Sequence, residues 1–257
     1  MFDRRTLLAA AAASSMLAGV RPRAAFAATP DGEGARLTAI YERIYDMLLD
    51  QDPEFATSLG ADKGDRAAAK AKLADRSPAG IKRGHDLYRT GLKELKTIDP
   101  KKLSGMDLVN YETFRGPWED YVKAYDTFSY GLHSWPEPHP VTQLSGTYRS
   151  IPDFLVNQHS IANAADAEAY LSRCADFAVQ LDNETGRIKA DHAAGVIPPD
   201  FVIDRTLTLF ESIMAPAPDA NILTTNLKSK TAAIPGDWAK RCAGLVEGKI
   251  YPAMRRQ

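Results

Sequence analysis

Residues 163–195 read NAADAEAYLSRCADFAVQLDNETGRIKADHAAG, and this stretch decides the fold. Ala167, Leu171, Cys174, Ala178 and Leu181 recur at steps of three and four, the spacing that stacks side chains on one face of an α-helix. Asn163, just ahead of the run, offers a side-chain oxygen to the unsatisfied amides of a first turn. Gly195 followed by Pro198 and Pro199 is a stop signal, because glycine accepts the left-handed conformation after a last turn and proline cannot prolong the ladder. The stretch predicts one long helix from Asn163 to about Ala194.

Working outward, the segment from Ile151-Pro152 to His159 predicts a short helix. Ile203, Leu207, Phe210 and Met214 predict another, ended by Pro216 and Pro218. After a polar stretch, Pro235-Gly236-Asp237 opens a last helix through Trp238, Cys242 and Leu245, which Pro252 interrupts. Toward the N-terminus, Leu37, Tyr41, Ile44 and Leu48 share a face until Asp52-Pro53 breaks it. Residues 60–74 are charged and alanine-rich, a loop with weak helical character. Ser77-Pro78 opens a helix carrying Ile81, Tyr88, Leu92 and Leu95, since proline suits the first helical position. Ser104 to Asp107 has the form of a capping box, and the helix it opens carries Leu108, Tyr111, Phe114, Trp118, Tyr121 and Tyr125, with a kink expected at Pro117. Period-two alternation with hairpin signals does not occur. The fold class is all-α, an irregular array of helices with one long ordered loop.

The N-terminus has another purpose. Arg4 and Arg5 directly precede an uncharged, alanine-rich run, Thr6 to Val20, and Ala25-Phe26-Ala27 forms a small-x-small cleavage site. Charged region, apolar region and cleavage site make up a secretory signal, and paired arginines are the address of the twin-arginine route. The alternative is an uncleaved anchor, but the apolar run has only 15 residues, against the roughly 20 a bilayer requires. Cleavage after Ala27 leaves a linker at 28–34 and a helical domain at 35–257. The expected location is periplasmic or extracellular.

Without residues 1–27, which hold four arginines and one aspartate, the net charge moves from −1 to −4. Charged residues of both signs are interspersed and form no basic stripe, which argues against a nucleic-acid partner. No later run is apolar for 18 residues, so no membrane association is expected after cleavage. Cys174 and Cys242 could form one disulfide, but both occupy apolar positions of helical patterns, where free cysteine behaves as a small hydrophobe.

Chemistry is hard to find. His85, His133, His139, His159 and His192 form neither H-E-x-x-H nor its inverted form. G-x-S-x-G, S-x-x-K and the glycine-rich nucleotide motifs do not occur. The aromatic positions 111–125 suit a ring-binding platform, but their helical spacing is that of a core face. The proline-rich segment 130–148 has no period, and long structureless loops inside compact domains are usually functional or disordered. Its tryptophan, histidines and leucines favour an ordered loop. His133, Glu137 and His139 could together bind a metal, do acid–base work or simply satisfy loop hydrogen bonds. The candidates for substrate contact are His133, Trp135, Glu137, His139, Ser145, Tyr148 and Arg149.

Several blocks, taken in order, resemble a known family. They are Leu103-Ser104-Gly105-Met106-Asp107 with Tyr111, then Gln143-Leu144-Ser145-Gly146 followed by Ile151-Pro152-Asp153-Phe154-Leu155. Next come Ala165 to Arg173 and the stop Gly195-Val196-Ile197-Pro198-Pro199. In order and spacing they resemble the domain of unknown function 885 family of exported bacterial proteins, over residues 36–256. The resemblance implies a larger helical fold like that of a zinc metallopeptidase, whose second half holds an H-x-x-x-H-type zinc site within a Pro-Gly-His-His-like sequence. Nothing here matches that motif, so no catalytic residue, metal ligand or cofactor is carried over, and zinc is expected only in a complete member. The implied function is the non-catalytic amino-terminal half of an exported hydrolase, forming one wall of a cleft for a peptide-like ligand. A periplasmic binding module is the alternative. Val246, Ile250 and Met254 keep a helical period to the end of the sequence. This predicts an apolar stripe, with Trp238 and Leu245, left for a missing carboxyl-terminal half or for self-association.

Overall fold

A computed structural model describes residues 32–131 and 138–257. Arg4, Arg5, Ala27 and the loop candidates His133, Trp135 and Glu137 lie outside the described residues. The protein is all-α, with ten α-helices and no strand among the described residues.

The first apolar cluster joins α1 (Glu33–Gln51), α3 (Pro78–Leu95) and α4 (Gly105–Thr127). Leu37, Ile40 and Ile44 of α1 meet Leu87, Leu92 and Leu95 of α3 and Tyr111 and Trp118 of α4. Gly91 makes this approach possible, because a Cβ there would collide with the Trp118 ring. Residues 33 and 34, read from the sequence as linker, already belong to α1. Ser77 accepts a hydrogen bond from the Gly80 amide at 3.2 Å, as its position before Pro78 predicts. Ser104 stands at the start of α4 but makes no capping hydrogen bond through its side chain, so the capping box is not formed.

The second, larger cluster surrounds α6 (Ala164–Ala193). It is packed by α5 (Thr147–Asn157), α8 (Ile222–Lys230), α9 (Trp238–Leu245) and α10 (Tyr251–Arg256). The Asn163 carbonyl oxygen of the side chain accepts from the Asp166 amide at 3.1 Å, and Gly195 ends the run at φ +80°. Helix α8 falls in what reads as a polar stretch. It is opened by Asn221, whose side chain accepts from the Leu223 amide at 2.9 Å, and it buries Leu223 and Leu227 one turn apart.

The last helix departs from expectation in two ways. Pro252 interrupts its α-ladder, which stops at Leu245 and resumes at Tyr251, but the chain stays helical between them. A proline ring crowds the carbonyl four residues back, and here the backbone widens into a π turn over Val246–Ile250, with the Tyr251 amide donating to the Val246 carbonyl. Such insertions relieve a ladder that cannot be regular. The apolar stripe is also not left in water. Trp238, Val246, Ile250 and Met254 are buried on the α6 cluster and Leu245 is partly buried against it. Cys174 and Cys242 are free thiols in the same core.

Helix α7 (Asp200–Met214) is different. Only Thr206 and Phe210 are buried, while Phe201 and Leu207 are exposed. Of its apolar repeat, Phe210 and Met214 pack on the α6 cluster, whereas Leu207 faces outward.

A short helix α2 (Pro53–Ser58) and a 3₁₀ helix at Gly64–Ala71 connect the two clusters, the second lying against α6. The strand-like link 72–77 is fastened by side chains rather than by backbone pairing. The amides of Leu73, Ala74 and Arg76 donate to Asp176, Glu54 and Gln180, at 3.3, 2.6 and 2.8 Å.

Candidate functional site

Beside α7 lies a groove of about 600 Å³. The end of α6 gives Ile188 and His192, the turn after it gives Ile197, α7 gives Ile203 and Leu207, and Phe210 and Met254 form the floor. The walls are mainly apolar. Three features fix its shape. Gly195 turns the chain sharply, Pro198-Pro199 stiffens the return, and Tyr148 backs Phe210 with ring centroids 4.4 Å apart.

The loop reaches the groove through His139, Pro140 and Val141. Ser145 instead belongs to a tight turn, its hydroxyl 2.9 Å from that of Thr142. Tyr148 is buried and donates its hydroxyl to the Thr142 carbonyl at 2.8 Å, so it supports the loop from the core rather than facing a ligand. Arg149 is exposed and reaches the Gln143 carbonyl at 3.4 Å. Gly146 starts α5 at φ +126°, and a Cβ there would press on the Tyr148 ring. Of the candidates that the structure describes, His139 is the one at the groove.

Two polar centres on α6, one under the groove and one several turns away from it, escape the sequence reading. Glu184 is buried and accepts from the Thr147 amide and hydroxyl at 2.9 and 2.8 Å and from Gln257, a groove residue, at 2.8 Å. Burial raises its pKa, with those hydrogen bonds opposing the shift. Asp191 is buried, accepts from the Gly131 amide at 3.2 Å and lies 2.9 Å from Arg187. It ties the start of the irregular loop to α6.

The second centre is Arg173, fully buried, with its guanidinium spread over three elements. Nε donates to the Lys72 carbonyl at 2.8 Å, and Nη2 donates to Thr57 Oγ1 at 2.7 Å and the Ala69 carbonyl at 3.0 Å. Nη1 donates to His159 Nδ1 at 2.8 Å, and the other ring nitrogen of His159 donates to the Asp166 carbonyl at 3.1 Å. Those two contacts are satisfied together by a neutral imidazole carrying its proton on Nε2. Burial lowers the His159 pKa to about 4 and that of Arg173 to about 10, so the arginine is charged and the histidine neutral at pH 7.

Asp166, Arg173, Gln180, Glu184 and Asp191 are polar residues on the buried side of α6. Their spacing of sevens and a four keeps these polar side chains in phase on one helix face, which in the sequence alone reads as a solvent-facing side. Among the described residues no three His, Cys, Asp or Glu side chains converge as metal ligands. Among the groove's described residues the one hydroxyl, Thr206, donates to the Val202 carbonyl at 2.6 Å, so no nucleophile–base pair is formed there.

The molecule belongs to the class of all-helical proteins with a two-cluster core and an open apolar groove. The model of bacterial proteins of unknown function DUF885 matches residues 53–257, and the chain belongs to that family. A solved structure from Colwellia psychrerythraea, described as a candidate lipoprotein, shares the fold with a TM-score of 0.76 and 15% identity. The match covers 88% of this chain and 40% of that one, so this chain spans well under half the length of that protein. No curated protein sequence matches. No helix among the described residues is long and apolar enough to cross a membrane.

Proposed function

We propose that the chain is the non-catalytic amino-terminal part of an exported hydrolase resembling zinc peptidases, and that its groove forms one wall of a cleft for a peptide-like substrate. The observation that carries this reading is α7, an apolar helix whose Phe201 and Leu207 stand exposed beside a 600 Å³ apolar groove. Exposed apolar surface rimmed by polar side chains marks a place where something docks. The greater length of the Colwellia psychrerythraea protein supports a further portion that would complete the cleft. The paired Arg4-Arg5 support delivery outside the cytoplasm.

A panel of fluorescent peptides with apolar side chains, titrated against the chain and its Leu207→Glu variant, tests the groove. Leu207 is exposed and outside the core cluster, so the substitution spares the core packing. The reading expects binding that weakens tenfold or more in the variant. Equal affinity for both chains, or binding of no peptide in the panel, would refute it. The alternative, a binding module without a catalytic partner, is favoured by the groove's lack of a nucleophile–base pair. It predicts the same peptide binding and no cleavage when the longer protein is assembled.

A further inference from the structure

We propose that His159 and Arg173 form an acid-triggered release, which loosens the link between the two helical clusters when His159 gains a proton. The idea is independent of how the groove is used. Arg173 bonds to α2, the 3₁₀ helix at Gly64–Ala71 and the 72–77 link at once. Of its hydrogen-bond partners, the His159 ring is the one that titrates.

The geometry leaves His159 no way to be charged in place. Its ring is fully buried, with Nδ1 accepting from Arg173 at 2.8 Å and Nε2 donating to Asp166 O at 3.1 Å. A second proton would land on Nδ1, turning an acceptor into a donor aimed at a guanidinium donor. The surroundings make this worse. Arg173 from α6, Lys70 from the 3₁₀ helix and Lys230 from α8 all oppose a positive ring. Lys230 lies over the same turn, donating to His159 O at 2.8 Å. Tyr170 meets the ring edge-on at 5.3 Å and brings no charge. The near carboxylate, Asp166, is already taken by Lys70 at 2.6 Å. Glu54, Asp52 and Asp62 act on Arg173 from the α2 side, and they favour the arginine charge rather than the histidine one.

Once Arg173 is displaced, residues 53–77 keep the Lys70–Asp166 pair and the amide bonds of Leu73 and Arg76 to α6 but lose the contact that gathers them, so their hold on α6 weakens, and with it that of the cluster of α1, α3 and α4 beyond them. The sign follows from linkage. A freed histidine takes a proton near its ordinary value of about 6.5, whereas the buried ring does so near 4. Acid therefore favours the open form between those values, and the contribution to closure is complete only above the upper one. Burial raises the pKa values of Glu54 and Glu184, and a raised carboxyl works in the opposite sense, losing its contribution as pH rises.

Amide exchange of residues 53–77 in the whole chain, corrected for intrinsic rates, is compared between pH 7.5 and 5.0 for wild type and His159→Gln. Glutamine can still accept from Arg173 but does not titrate. One proton linked over this window raises the opening equilibrium of wild type roughly 25-fold, and the variant should rise by less than about threefold. An equal rise in both chains would overturn the proposal. If the variant fails to fold, ring NMR of wild type decides. A His159 that titrates near 6.5 in the folded chain sinks the idea, and one still neutral at pH 5.5 upholds it.

Discussion

Replacing Arg173 with methionine should cost the protein about 3–5 kcal/mol, and it should split its unfolding in two. Methionine keeps the length of the arginine stem but not the guanidinium, which lies over the Phe154 ring at 4.8 Å. What disappears is the donor set. The Lys72 and Ala69 carbonyls and His159 Nδ1 lose their donors in a buried place, at about 1–3 kcal/mol for each group left unsatisfied. Against that, the guanidinium no longer has to be stripped of water, which recovers several kcal/mol. Thr57 can turn its hydroxyl elsewhere, so its bond weighs little in the balance. The remainder is about 3–5 kcal/mol, the usual cost of removing one member of a buried charged network. Urea unfolding followed by circular dichroism gives the total, and amide exchange read by mass spectrometry assigns it to regions. The α1, α3 and α4 peptides should open below the urea concentration that exposes α6, α8 and α9. A loss under about 1 kcal/mol, with both clusters opening together, would show that Arg173 does not join them.

Gly91→Ala should destabilise by about 1–3 kcal/mol through overpacking against Trp118, whereas Gly186→Ala, in open space on α6, should stabilise by up to about 1 kcal/mol. Thermal or urea midpoints moving the same way in both variants would contradict the packing argument. Exchanging Arg4 and Arg5 for lysines should hold the uncleaved precursor in the cytoplasm. Fractionation that finds normal amounts of protein starting at Ala28 would disprove the twin-arginine assignment.

The long helix and its boundaries were legible because they rest on local rules. Asn163 caps, Gly195 turns left-handed, and the apolar repeat in between needs no knowledge of the rest of the molecule. Helix α8 was hidden because Asn221, Thr224, Thr225 and Asn226 look like loop, and two leucines one turn apart are a weak periodic signal. Arg173 was hidden for another reason. A charged residue in a helical repeat reads as solvent-facing until tertiary contacts supply carbonyl acceptors, and these come from residues about a hundred positions away. The groove was half legible. Ile203, Leu207 and Phe210 announce an apolar face, but periodicity cannot tell a face that meets the core from one that waits for a partner. Of the loop candidates, His139 lines the groove, whereas Tyr148, read as a contact residue, is a core residue behind it.

The π turn ahead of Pro252 has a consequence for how this helix tolerates change. An unbroken α-helix advances about 100° per residue, so positions 238 and 254 would stand roughly 160° apart around its axis. Yet Trp238 and Met254 are both buried on the same cluster. The wider turn takes back part of that rotation and so keeps the seam in phase. It also aims Tyr251 at the corner between α7 and α8, where its hydroxyl donates to the Pro216 carbonyl at 2.8 Å and accepts from Asn221 at 3.1 Å. Glu247, Gly248 and Lys249 are exposed. In this segment the number of residues therefore matters more than their identity. Substitutions at the three exposed positions leave this spacing unchanged, whereas losing any one of them would shift Tyr251 by a residue and turn the corner's anchor away from its seat.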